Sequence, residues 1–323
     1  MPNNPTRCRD TVRRWIGHCL GLLLLGTLCS GTPLAGQILV AHDPQNAAHA
    51  SVLEALRTSL SDKADPIGSP QLAIWDVVRQ PAPPDADTPP RLIVTIGSKA
   101  AAAVNRLTTP APIFNVFLPK TAYEQLAAQS DRHHAAIYLD QPVIRQFAVA
   151  RALLPASQSI GMLVGSAREQ DAAELRAKAA QFDYDLNLVT MAPEDDPAER
   201  IEQVIDHSDL VVAFYDHQVF RPGTAKWLLF LAFQAGRPII GFSQALLKAG
   251  AVAAVFSTPE QIGQHAGERI RHWLSGHGAL GGPEPPRYFH IGVNGPVAEA
   301  LGVPVPDIDD LQHRVQTAEG TGP

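Results

Sequence analysis

"RLIVTIGSKAAAAVNRL", Arg91 to Leu107, passes from a strand pattern to a helix pattern across two residues. Leu92, Ile93, Val94 and Ile96 make an apolar run of strand length, and the alanine-rich stretch from Lys99 onward favours a helix. Only Gly97 and Ser98 stand between them. A joint this short marks a βα unit in which small residues let the helix lie close to its sheet. It is also a place to bind. Ser98 is a candidate cap for the helix, whose free N–H groups and positive end favour an anion such as a carboxylate. The two readings are compatible.

The same alternation runs outward in both directions. Upstream, "QILVAHD" precedes the helical "NAAHASVLEALRTSLSD", and "LAIWDVV" precedes the proline-rich "RQPAPPDADTPP". Downstream come the strand "APIFNVFL", the helix "TAYEQLAAQ" and the strand "AAIYLD". A helix around Gln141–Leu154 then reads as a crossover into a second series. Its strands are "SIGMLVG", "LNLVTM", "DLVVAFYD", "RPIIGF" and "AVAAVFS", with helical segments between them. Strands alternating with helices imply parallel sheets covered on both faces. The fold class is therefore α/β, with two doubly wound parallel-sheet lobes and a hinge. The lobes are expected at 37–141 plus about 259–282 and at 142–258 plus about 283–306, with a frayed polar tail at 307–323.

In open α/β sheets, ligands sit beyond the carboxyl ends of the strands. That rule selects His42 and Asp43; Gly97, Ser98 and Lys99; Lys120; Ser166; Tyr215, Asp216 and His217; and Ser243 and Gln244. Asp216 ends an apolar strand, so its carboxylate suits a ligand ammonium group; capping its own turn is the alternative. Tyr215, His217 and Phe220 are candidates for a flat wall against an apolar ligand group.

Several chemistries are disfavoured. No G-x-G-x-x-G or G-x-x-x-x-G-K-[ST] follows a strand, so nucleotide binding lacks its usual cradle. Gly241-Phe242-Ser243 resembles a nucleophile elbow but lacks the second glycine, and Asp310 and His313, which follow in triad order, lie in the expected tail. No two of the twelve histidines have helical ligand-pair spacing in a helical segment, so no metal and no cofactor are expected. A pI near 6.0 argues against a nucleic-acid partner.

Residues 1–36 form a separate pattern. Arg7, Arg9, Arg13 and Arg14 precede the apolar "CLGLLLLGTLCSG", and "TPLAGQ" supplies small residues for cleavage. This is the layout of a secretory signal peptide, and the apolar run is short for a membrane span. All three cysteines lie here. Cleavage would leave a cysteine-free protein with 22 basic against 31 acidic residues, an acidic exported protein.

Four segments together carry a family resemblance: "LIVTIGSKAAAAVNRLTTPAPIFNVF", "LLPASQSIGMLVGSAREQ", "KAGAVAAVFSTPEQIGQHAGERIRHWLSG" and "VNGPVAEALGVPVP". In this order the chain resembles the periplasmic substrate-binding proteins of ABC transporters, in the uncharacterised-transport group that includes tryptophan and tyrosine binders. The resemblance implies the type I periplasmic binding fold and capture of a small, amino-acid-like ligand between two lobes. It implies a monomer that serves an inner-membrane permease, or a sensor protein in the same position, and no enzymatic activity. The sequence departs from the family pattern at Leu118-Pro119-Lys120, where Asp-Pro-Val is common. It departs also at His217, where Asn follows the Asp, and at Ser98, where the family has Thr.

Overall fold

The computed structural model describes residues 37–61, 70–84, 89–130 and 132–320. The leader read in residues 1–36, with its three cysteines, lies outside them.

The first lobe opens with β1 (Ile38–His42), α1 (Ala47–Leu60), β2 (Leu72–Asp76), β3 (Leu92–Ile96), α2 (Ser98–Asn105), β4 (Ile113–Leu118), α3 (Lys120–Ala127) and β5 (His134–Tyr138). The second contains α4 (Val143–Leu153), β6 (Ser159–Gly165), α5 (Ala172–Ala180), β7 (Asp185–Met191), α6 (Pro197–Asp206) and β8 (Leu210–Val212). It continues with α7 (Pro222–Gln234), β9 (Ile239–Gly241), α8 (Gln244–Ala249) and β10 (Ala253–Phe256). The chain then returns through α9 (Pro259–Leu274) and β11 (Pro283–Glu284), and ends in β12 (His290–Val293), α10 (Gly295–Ala300) and α11 (Ile308–Ala318).

Two sheets of six strands result among the described residues, in the orders β11-β5-β4-β3-β1-β2 and β12-β10-β9-β8-β6-β7. Both are doubly wound. Every residue of β1, β3 and β5 is buried, which is why these strands read as unbroken apolar runs and not as alternating ones. Only β12 runs antiparallel, pairing Ala253 with Val293 and Phe256 with His290. The chain enters it from the opposite direction, on its last return from the first lobe.

Helices α1 and α9 cover one face of the first sheet and lie very close together. A Cβ at Gly263 would stand 2.4 Å from the Val52 carbonyl, and one at Gly267 would stand 2.5 Å from Ser59 Cβ. Glycine four residues apart on α9 is what permits this approach, and Ile262, Ala266 and Ile270 bury themselves beside it.

Two boundaries differ from the sequence reading. Pro283–Glu284, expected in the second lobe, pairs with β5 in the first sheet, because Glu284 is held 3.0 Å from both Arg269 and His265 on α9. The stretch expected to fray after 307 contains α11. Asp307 caps it by accepting the Asp309 and Asp310 N–H groups, and Leu311 and Val315 are fully buried in the second lobe's core.

The chain crosses between the sheets three times: before α4, between β10 and α9, and between β11 and β12. Arg145 on α4 gathers these crossings. Its Nη1 donates to Gln141 Oε1 at 2.6 Å and to the Pro286 carbonyl at 2.8 Å, while its Nε lies 2.8 Å from Glu319. Gln141 in turn donates to Ser257, which donates to the Tyr288 carbonyl at 2.6 Å.

Candidate ligand-binding site

Next to these crossings, at the carboxyl ends of both sheets, lies a cavity of about 580 Å³. Pro119, Leu139 and Asp140 line it from the ends of β4 and β5, and Pro259 and Glu260 from the start of α9. The second lobe contributes Gln146, Phe214, Tyr215, Phe242, Ser243, Gln244 and Phe256. Each lobe thus supplies part of the wall.

The aromatic residues are packed edge to face. The Tyr215 and Phe242 ring centroids are 5.5 Å apart, and Phe220 supports Phe242 from behind at 5.2 Å. On its other side Phe214 carries the Arg168 guanidinium, 4.3 Å from the ring centre. Burial, reinforced by the carboxylates of Asp140 and Asp216, pushes the Tyr215 hydroxyl pKa up, so it stays protonated.

Most polar groups near the cavity are already used. Ser243 accepts the Leu246 N–H as the cap of α8, and Thr258 accepts the Gln261 N–H in a capping box. Gln146 is 1% exposed and donates its amide to the carbonyls of Ala213 at 2.6 Å and Gly241 at 3.2 Å. That fixes its orientation and leaves Oε1 as an acceptor. Asp140 takes the Lys120 N–H on Oδ2 at 2.7 Å, while its buried Oδ1 has no hydrogen-bond partner. Burial pushes the Asp140 carboxyl above its ordinary range, against the pull of the Lys120 N–H and Arg168.

Of the residues selected from sequence, Tyr215, Ser243 and Gln244 line this cavity. Lys120 lies beside it, in a smaller cavity of about 230 Å³ shared with Asp140, Arg168 and Glu174. Its ammonium faces Glu124 at 3.7 Å. His42, Asp43, Gly97, Ser98 and Lys99 form a different cluster at the ends of β1 and β3. There Lys99 pairs with Asp43 at 3.0 Å, and the His49 ring lies where a Cβ on Gly97 would be. Gly97, at φ 84, occupies the N-cap of α2, so Ser98 is its exposed first residue and caps nothing. Ser166 and His217 are exposed.

Asp216 is turned inward at 2% exposure. It accepts the Gly165 N–H and the Gln218 N–H, each at 2.8 Å, and so ties the ends of β6 and β8 together. Its carboxylate is spent on backbone N–H groups, one in its own loop and one at the end of β6. Asp310 and His313, weighed with Ser243 as a triad, lie on α11, where Asp310 pairs with Arg314 at 2.8 Å.

The strand-end rule also points to Asp140 and Phe256, which close "AAIYLD" and "AVAAVF", but these were not among the residues selected from sequence. Gln146 sits inside α4, where no strand-end signal reaches. Among the described residues no cluster of His, Cys, Asp and Glu is placed to hold a metal ion, and no helix is long and apolar enough to cross a membrane.

Residues 85–283, more than half of the chain, match the family model described as ABC transporter substrate binding protein. The chain belongs to this family. It is a family of binding proteins and not of enzymes. As an ABC transporter substrate-binding protein it shares its fold with several solved structures. A conserved domain protein from Vibrio cholerae is 19% identical, with a TM-score of 0.55 over 87% of this chain and 98% of that one. A Streptococcus pneumonia ABC domain in complex with L-Trp is 15% identical, with a TM-score of 0.55 over 84% and 96%. A Clostridium difficile substrate-binding protein with adhesive properties, in its ligand-free, open form, is 14% identical, with a TM-score of 0.62 over 84% and 96%. No curated protein matches the chain.

Proposed function

We propose that this substrate-binding protein is exported to the periplasm and works there as a monomer. Its two lobes close over a small ligand in the cavity and offer the closed form to an inner-membrane permease. The observation that carries this reading is the division of the cavity wall. Asp140 and Glu260 belong to the first lobe, whereas Phe214, Tyr215 and Phe242 belong to the second. A ligand touching both sets has more contacts when the lobes approach, so binding shifts the population toward the closed form. The ligand is amino-acid-like in carrying an ammonium group beside a compact apolar body. Tyr215, Ser243 and Gln244 contact it. The ABC family match favours delivery to a permease over signalling through a sensor protein.

A thermal-shift screen of the purified protein against amino acids, amines, small carboxylates and nucleosides tests this. A true ligand at about 100 times its Kd adds about 2.7 kcal/mol of stability. At least one compound is therefore expected to raise the melting temperature by several degrees. A flat response across the panel would count against solute capture.

A further inference from the structure

The charge and hydrogen-bonding character of the cavity narrows the ligand further, on the reading that the cavity is where the ligand binds. The lining residues include two carboxylates, Asp140 and Glu260, and no Lys, Arg or His. The neighbouring cations are committed elsewhere. Arg168 grips Asp171 through Nε at 2.9 Å and Nη2 at 2.7 Å, and Lys120 faces Glu124.

The charged groups that remain in the lining are carboxylates, and the rest are neutral. Gln141 and Ser257 spend their side chains on each other, on Arg145 and on the Tyr288 carbonyl. The Ser243 and Thr258 oxygens accept backbone N–H groups as caps, which leaves the Ser243 O–H as a neutral donor. That leaves the Tyr215 hydroxyl and the Gln244 amide, the Asp140 carboxylate, whose Oδ1 is buried without a partner, and Oε1 of Gln146, an amide almost wholly buried with both its donor contacts made to carbonyls. Around them stand the rings of Phe214, Tyr215, Phe242 and Phe256, whose faces attract a cation as well as an apolar body. A ligand carboxylate entering here would be desolvated between two negative charges with no cation to meet it, which is strongly unfavourable.

We infer that the cavity selects an organic cation: an amine with an aromatic or apolar body and no carboxylate, its ammonium on the Asp140 carboxylate and its body against the four rings. Such a ligand carries a net positive charge, whereas an amino acid with the same apolar body is a zwitterion with none.

Two matched series isolate that difference. One is 2-phenylethylamine, L-phenylalanine and 3-phenylpropanoate; the other is tryptamine, L-tryptophan and 3-indolepropanoate. Each would be titrated calorimetrically into the purified protein at pH 7. At least one amine is expected to bind tenfold or more tighter than its amino acid, and the two carboxylates not measurably. Asp140→Asn, which keeps an acceptor for the Lys120 N–H, is expected to weaken the amine about 30-fold or more. Equal or tighter binding of the amino acids, undiminished amine binding by Asp140→Asn, or no binding by either amine would overturn the cation assignment. The first two results would leave solute capture standing. Solute capture fails separately, if the broad screen also finds no ligand.

Discussion

Gln141 Nε2 donates to Ser257 Oγ at 2.9 Å, and this bond links the first crossing between the sheets to the second. Through Arg145 and Tyr288 the third crossing joins the same set. The three strands of chain between the lobes are thus held as one unit beside the ligand cavity, and Arg145, buried against Glu319, anchors that unit to the C-terminal helix.

That anchor is testable. Glu319→Ala leaves the Arg145 guanidinium buried with an uncompensated charge, which costs about 3–5 kcal/mol. Urea denaturation should show a clear fall in midpoint, with Glu319→Gln intermediate because it keeps an acceptor. A midpoint unchanged by both variants would mean that α11 is not held through this pair.

Gly97 and Gly263 are constrained by different neighbours. Alanine at Gly97 must adopt φ near 84° and displace the His49 ring, while alanine at Gly263 meets the backbone of α1. Strain of this kind costs about 1–3 kcal/mol each. Both variants should melt several degrees below wild type, whereas Gly223→Ala, with open space around its Cβ, should change little.

Acid should loosen the first lobe before carboxylates protonate. Burial pushes the pKa values of His42, His49 and His134 below the ordinary 6.5. The unfolded chain then binds more protons than the folded one below about pH 6.5, so stability is full above that value and falls as pH drops through it. Melting temperatures recorded from pH 8 to pH 5 should decline, and replacing the three histidines with asparagine or glutamine should flatten that slope.

Asp140 has the opposite sign. Its folded pKa lies above the ordinary 3.8, so ionisation costs stability that increases as pH rises through that range. Asp140→Asn should therefore melt at or above the wild-type temperature at pH 7, with the difference vanishing toward pH 3. A lower melting temperature at pH 7 would show that the carboxylate is structural.

The architecture was legible because parallel strands covered on both faces leave apolar runs such as "LIVTI" and "IFNVFL", separated by helical segments. The carboxyl-end rule points to the edge of each sheet at which the cavity opens. It could not rank positions along that edge, because strand order is a property of pairing and not of local sequence. β5 and β10 stand near the crossings, so the cavity forms over Asp140 and Phe256, while His42 and Gly97, on β1 and beyond β3, lie farther along. Asp216 illustrates a second limit. A carboxylate at a strand end reads the same whether it meets a ligand or its own backbone N–H groups. In α11, Leu311 and Val315 are too few among polar residues to announce a buried face.

Small-angle X-ray scattering on the purified protein, with and without a saturating ligand from the thermal-shift screen, tests lobe closure most directly. The account predicts a smaller radius of gyration in the saturated sample. An unchanged radius at proven saturation would contradict closure of the two lobes over the ligand.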